Sequence, residues 1–242
     1  MLRMQMIERP ALAELRTRAA ARVPTWLGES INGKTILVHA RDAPTASLFG
    51  FRYVPHLASR GADVIIQVER EQVALLGRMG GVRLAIDHTA PTPPANYTVP
   101  FEALGTLSER DADLHLLVKA YLRADRSRVD YWQQRLATHA SRNIECVLLS
   151  FGEPDSIRPH ESIPLASLTP LFALPNIQWI VLERALANWE RHALKQYSSV
   201  TTVATVDLDD LAGLIKAVDR VACIDSITGH LAGALGAPGW AL

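Results

Sequence analysis

Short apolar runs alternate with segments of helical period through the first third of the chain. The runs at residues 35–40, 63–68 and 82–87 are rich in Ile, Leu and Val, and the segments between them, at 47–60 and 71–78, are each followed by glycine. A strand buried on both faces of a parallel sheet is a nearly continuous apolar run, and glycine commonly ends a helix. The pattern predicts a βαβαβ unit with a parallel sheet.

The second half of the chain repeats this alternation. Apolar or β-branched runs occupy residues 146–151, 177–182, 199–206 and 220–225, with helical segments between them. A last helical segment begins near Ser226. We therefore expect a second unit of the same α/β class.

The region between the two units has a different character. Residues 88–100 are rich in proline and cannot form a long regular element, whereas residues 121–140 have a helical period. We interpret this region as a linker and a connecting helix. It divides the chain into an N-terminal Rossmann-like lobe at residues 1–125, led by an amphipathic helix at 10–23, and a C-terminal Rossmann-like lobe at 126–242. Two such lobes, each with a mainly parallel sheet, are expected to face a cleft.

The composition excludes several classes of partner. The chain has 25 Lys and Arg and 25 Asp and Glu, so its net charge gives no reason to expect binding to nucleic acid or to an anionic membrane. No apolar run is long enough to span a bilayer, and the first residues lack the continuous apolar core of a secretory signal. We expect a cytoplasmic protein in which Cys146 and Cys223 are buried thiols.

Metal and cofactor sites are not expected either. The histidines are scattered singly, and no pair of His, Cys or carboxylate residues has the spacing of metal ligands. Neither half contains the G-x-G-x-x-G loop that binds dinucleotides.

The last strongly apolar run leads directly into a candidate phosphate site. Asp225 or Ser226 is placed to cap the helix that follows, and the amide groups of Thr228, Gly229 and His230 are expected to be unpaired. Free amides at a helix N-terminus bind phosphate groups, and the Thr228 hydroxyl and His230 imidazole would add donors to a diphosphate. The alternative is a simple helix cap with an interior histidine.

The same stretch carries a family resemblance. Residues 225–240 spell D-S-x-x-G-H-L-A-G-A-L-G-x-P-x-W, which closely resembles a motif of the glycosyltransferase family 9-like domain, D-T-x-x-x-H-L-A-G-A-L-G-x-P-x-W. This domain follows tetratricopeptide repeats in many bacterial proteins and is related to the ADP-heptose lipopolysaccharide heptosyltransferases. The stretches 26–40, 51–69, 120–136 and 162–172 resemble further parts of the family in the same order.

The resemblance implies a fold and an activity. The fold would be GT-B-like, with two Rossmann-like lobes whose mainly parallel sheets face a cleft. The activity would be metal-independent, inverting transfer from a nucleotide-diphosphate sugar. The donor phosphates would be bound by Asp225, Ser226, Thr228, Gly229 and His230.

The chain departs from the family where catalysis would take place. The family has E-Q-G-L-G-D-T after its first strand, and its Asp corresponds to the proposed general base of the heptosyltransferases; here that position is Ala46, which cannot accept a proton. Asp42 is only a weak substitute base. The arginine that usually precedes S-I-P-L is Glu161, and Arg184 is a candidate cation where the family has L-Q-K-G.

These departures leave two hypotheses open. The first is a glycosyltransferase-like protein that binds a nucleotide-diphosphate sugar or a nucleoside diphosphate and has weak or lost catalysis. The second is a non-catalytic GT-B scaffold that acts as a ligand-binding or protein-interaction module.

Overall fold

The computed structural model describes residues 23–40, 44–108, 120–137, 144–152, 162–183 and 186–242. The chain forms two compact units, Met1–Leu122 and Arg123–Leu242. The amphipathic helix expected at residues 10–23 lies outside the described residues, apart from its last position.

The N-terminal unit is built on a four-stranded parallel sheet in the order β3-β2-β1-β4. Its strands are β1 (Thr35–His39), β2 (Asp63–Val68), β3 (Val82–Asp87) and β4 (Tyr97–Pro100). Its helices are α1 (Pro44–Gly50), α2 (Val54–Ser59), α3 (Val73–Leu76) and α4 (Phe101–Ser108), with 3₁₀ turns at Phe51–Tyr53 and Arg70–Gln72. The βαβαβ prediction for this unit is confirmed.

Strand β4 was not predicted, because it ends the proline-rich stretch between the two halves. It pairs with β1, and its last residue, Pro100, has no amide hydrogen to donate. Proline is tolerated in a sheet at an edge strand, which is where the strand order places β4.

The C-terminal unit contains a five-stranded parallel sheet in the order β7-β6-β5-β8-β9. Its strands are β5 (Glu145–Ser150), β6 (Ile177–Leu182), β7 (Val200–Val203), β8 (Arg220–Cys223) and β9 (Gly239–Ala241). Its helices are α5 (Arg126–Leu136), α6 (Leu165–Leu168), α7 (Asn188–Leu194), α8 (Leu208–Ala217) and α9 (Ile227–Leu235), with a 3₁₀ turn at Thr169–Ala173. The predicted second α/β unit is confirmed.

Two features of this unit differ from the prediction. The connecting helix is shorter than residues 121–140 and begins at Arg126, because the Asp125 carboxylate accepts hydrogen bonds from the amides of Ser127 and Arg128 and so caps it. Strand β9 was not predicted. A side chain at Gly239 would lie 2.5 Å from the carbonyl oxygen of Val221, so the close pairing of β9 with β8 requires glycine there.

A buried cluster forms one side of the C-terminal core. It contains side chains from alternate positions of β5 and β6 and from the helices that pack against them: Val147, Leu149, Phe151, Leu165, Leu168, Phe172, Trp179, Val181, Leu186, Leu194 and Ala222. Helices of this kind on the faces of a parallel sheet leave the carboxyl ends of its strands for the loops that bind ligands. No helix in the described part of the chain is both long and apolar enough to cross a bilayer.

Candidate functional site

The candidate site lies where β8 ends and α9 begins. The Ile224 amide donates to the carbonyl oxygen of Ser150 at 3.1 Å, which holds the chain beside the end of β5. The next residues turn into α9, and Ser226 is the residue that caps it. The carboxyl ends of parallel strands are where open α/β sheets bind ligands, so this turn occupies the expected position.

Ser226 satisfies two of the amides at the start of α9. Its hydroxyl oxygen accepts from the Gly229 amide at 3.4 Å, and its carbonyl oxygen accepts from the His230 amide at 3.0 Å. The prediction that both amides are unpaired was therefore wrong. The predicted cap is confirmed, and the same side chain that caps the helix removes a donor that a ligand could have used.

The Thr228 amide differs from those of Gly229 and His230. No hydrogen bond within the described residues involves its amide, so this donor remains at the helix N-terminus. The residue as a whole is 3% exposed, so its hydroxyl has little access to solvent.

The polar side chains that reach solvent at this corner form a pair. The Nε2 atom of His230 lies 3.1 Å from Oδ1 of Asp225, and the two side chains are 30% and 68% exposed. The Asp225 carboxylate therefore orients the imidazole ring. This contact holds the imidazole in a fixed position near the N-terminus of α9.

Close packing against β8 explains why small residues occupy the first turn of α9. A Cβ atom at Gly229 would lie 3.1 Å from the Cys223 sulfur and 3.2 Å from the Ile224 carbonyl oxygen.

Burial, and secondarily the charge of Asp225, raises the pKa of the Cys223 thiol, so this sulfur stays protonated near neutral pH and is not a nucleophile. The expected buried thiols at Cys146 and Cys223 are both found.

The end of β6 contributes to the same edge of the sheet. The Arg191 guanidinium donates to the carbonyl oxygens of Glu183 and Leu186, at 3.3 and 3.1 Å, and so holds both sides of the loop that contains Arg184. Arg184 itself lies outside the described residues. This role of Arg191 was missed by the sequence analysis, because the contacts of its guanidinium with Glu183 and Leu186 form only in the folded chain.

The predicted catalytic position belongs to the N-terminal unit. Ala46 lies in the first turn of α1 and is exposed, and the next residue, Ser47, is buried and accepts a hydrogen bond from Nε2 of Gln72 at 3.1 Å. Asp42 and Glu161 lie outside the described residues. Among the residues that the structure describes, no group of three or more His, Cys, Asp or Glu side chains is arranged to hold a metal ion.

No protein-family model matches the sequence, and neither does any curated protein. Solved structures do match. A glycosyl transferase family 9 protein from Veillonella parvula has a TM-score of 0.64 at 10% identity, over 88% of this chain and 81% of that one. ADP-heptose lipopolysaccharide heptosyltransferase II of E. coli has a TM-score of 0.56 at 15% identity, over 85% and 83%.

A third structure is E. coli heptosyltransferase WaaC with ADP-2-deoxy-2-fluoro heptose, which has a TM-score of 0.54 at 13% identity, over 85% of this chain and 87% of that one. The chain has the GT-B fold of these glycosyltransferases. The two parallel sheets of the heptosyltransferase-like fold that the sequence resemblance implied are confirmed. At these identities the likeness concerns the fold, so activity has to be argued from the residues of the site.

Proposed function

We propose that this protein binds a nucleoside diphosphate or nucleotide-diphosphate sugar at the start of α9, and that its capacity for sugar transfer is weak or lost. The observation that carries the proposal is the corner between β8 and α9. It combines a helix N-terminus, a free Thr228 amide and the fixed Asp225–His230 pair in a chain that has the heptosyltransferase-like fold.

The chemistry of this corner suits a diphosphate. The helix dipole places partial positive charge at the first turn of α9, and the His230 imidazole can add a donor to a phosphate oxygen. Two structures of E. coli heptosyltransferase WaaC, one with ADP and one with ADP-2-deoxy-2-fluoro heptose, contain the ligand class that we infer here. Because Ser226 already occupies the Gly229 amide, we expect fewer amide contacts to the phosphates than the sequence alone predicted.

The second part of the proposal rests on Ala46. Inverting transfer needs a base within about 2.6–3.2 Å of the acceptor hydroxyl, and a methyl group cannot take its proton. Ala46 is exposed, so the position is accessible but chemically inert. The same observation favours the alternative, a GT-B scaffold that binds a ligand or a protein partner without turning it over.

Isothermal titration with ADP, UDP, GDP and their glucose conjugates tests the binding proposal. At least one should bind saturably, and His230→Ala should weaken it roughly tenfold or more, because a hydrogen bond to a charged oxygen is worth about 1.5–3 kcal/mol. His192→Ala, which removes an exposed imidazole on α7, is the matched control and should leave the affinity unchanged. Absence of binding by all the nucleotides, or equal binding by His230→Ala, contradicts the proposal.

A further inference from the structure

Arg52, in the 3₁₀ turn that follows α1, is held in an unusual environment. Its guanidinium carbon lies 3.7 Å from the centre of the Phe49 ring, and its side chain is hydrogen-bonded to the Tyr121 hydroxyl. Its Nε atom is buried and has no hydrogen-bond acceptor within the described residues. The aromatic contact fixes the plane of the guanidinium group, so the direction of its donors is also fixed.

The charge of Arg52 has no protein counterion in the described ranges. No carboxylate there lies within 4.0 Å of its guanidinium nitrogens. Tyr121 does not supply one, because burial raises its pKa to about 12 and its hydroxyl donates to the Leu48 carbonyl oxygen at 2.6 Å. A partly buried cation with an unsatisfied donor is costly unless an anion neutralises it.

The location of this group matches that of a ligand site. Helix α1 contacts the segments that follow the two strands on either side of β1: Ser47 bonds to Gln72, after β2, and Gly50 lies against the ring of Phe101, directly after β4. Helix α1 and the 3₁₀ turn that follows it therefore lie at the carboxyl edge of the N-terminal sheet. Open parallel sheets bind ligands at this edge.

We infer that Arg52, stacked on Phe49 and held by Tyr121, forms an oxyanion site on the N-terminal unit that takes a phosphate or a sugar carboxylate. The guanidinium group would donate through Nε and a terminal nitrogen, the paired geometry that suits both anions. Arg52 belongs to the N-terminal unit and the β8–α9 corner to the C-terminal unit, and this inference does not depend on nucleotide binding at that corner.

The experiment follows the Arg Nε–H resonances of the ¹⁵N-labelled full-length protein during titration with inorganic phosphate and, separately, with glucuronate. Sodium chloride at equal ionic strength serves as the reference, because it controls for general screening. We expect the Arg52 resonance to shift saturably with at least one of the two anions. The anion that binds more tightly identifies the source as a phosphorylated or a carboxylated ligand.

Substitutions test the assignment. Arg52→Gln should weaken binding roughly tenfold or more, because it removes a charge-assisted pair of donors. Arg83→Gln removes a cation of the same unit that is paired with Asp63 on the sheet, and should leave binding unchanged. If Arg52→Gln does not fold, Arg52→Lys keeps the charge, loses the planar fork, and should still weaken binding. Absence of saturable binding to both anions, or binding that these Arg52 substitutions do not weaken, overturns the inference.

Discussion

The indole Nε1 of Trp132 donates a hydrogen bond to the carboxylate of Asp210 at a distance of 2.9 Å, although the two residues are 78 positions apart in the sequence. Asp210 is 2% exposed, and its other oxygen accepts from the Val206 amide at 3.0 Å. Arg128 lies 3.5 Å from the same carboxylate. The connecting helix α5 is thereby fixed to α8 within the C-terminal unit.

We predict that Asp210→Ala lowers the free energy of unfolding by about 2–4 kcal/mol, because it leaves the indole and the Val206 amide as buried donors without acceptors. Urea unfolding followed by fluorescence measures the change. The control is Asp130→Asn, on the exposed side of α5, which should change stability by less than about 0.5 kcal/mol. Equal effects of the two substitutions would contradict a buried anchor at Asp210.

Two helix-interior glycines provide a matched pair. A Cβ atom at Gly213 of α8 would lie 2.6 Å from Cβ of Arg128 and 3.0 Å from its carbonyl carbon, whereas one at Gly233 of α9 would meet no atom of the described residues within 4 Å. Alanine is favoured over glycine in a helix by about 1 kcal/mol. Gly233→Ala should therefore raise thermal stability.

Gly213→Ala should have the opposite effect. The overlap with the backbone of Arg128 forces α5 away from α8, which we expect to cost about 1–3 kcal/mol and to outweigh the gain in helix propensity. Differential scanning calorimetry of the two variants measures both effects. A Gly213→Ala variant as stable as Gly233→Ala would mean that the two helices pack less closely than the structure places them.

The sequence predicted the regular parts of the fold because their signals are local. Continuous apolar runs identified β1, β2 and β3 and their counterparts in the second unit, and the Ser226 cap identified the start of α9. The short edge strands β4 and β9 were missed, since their extended form depends on pairing with β1 and β8 rather than on their own residues.

The candidate site was predictable in its residues but not in its hydrogen bonds. The motif that follows β8 gave the positions, whereas the bond from the Gly229 amide to Ser226 depends on the side-chain rotamer of the cap. Arg52 was missed altogether. Its environment requires both Phe49 and Tyr121, and Tyr121 lies 69 positions after Arg52 in the chain.

Tyr121 gives a prediction for alkaline pH. Burial raises its pKa from 10.0 to about 12, so between these values the unfolded chain releases the phenolic proton while the native protein retains it. The free energy of unfolding should therefore fall as the pH rises through this window, by up to about 1.4 kcal/mol per pH unit. Below pH 10 the contribution is fully present.

Tyr121→Phe lacks this proton and serves as the comparison. We expect it to be less stable than the unmodified protein near neutral pH, since the hydrogen bond to the Leu48 carbonyl oxygen is lost. The difference between the two proteins should narrow as the pH rises above 10 and Tyr121 of the unmodified protein ionises on unfolding. Urea unfolding at a series of alkaline pH values measures this difference, and parallel stability curves would contradict it.

The last prediction concerns the reaction. Transfer requires a base for the acceptor hydroxyl, and Ala46 stands at the position where the family resemblance places one. Since Ala46 is exposed in the first turn of α1, an aspartate there would not have to bury its charge. Carboxylates are also favourable in the first turn of a helix, so the substitution should not disturb the fold.

We expect Ala46→Asp to raise the rate of nucleoside diphosphate release from a nucleotide sugar, in the presence of a panel of glycan acceptors, by about 10²–10⁴ over the unmodified protein, the usual contribution of a general base. Ala46→Asn has nearly the same shape but no basic group, and should remain as slow as the unmodified protein. Fast transfer by the unmodified protein, abolished by Asp42→Asn, would instead place the base at Asp42. In that case the segment after β1 still supplies a catalytic carboxylate, four positions before Ala46.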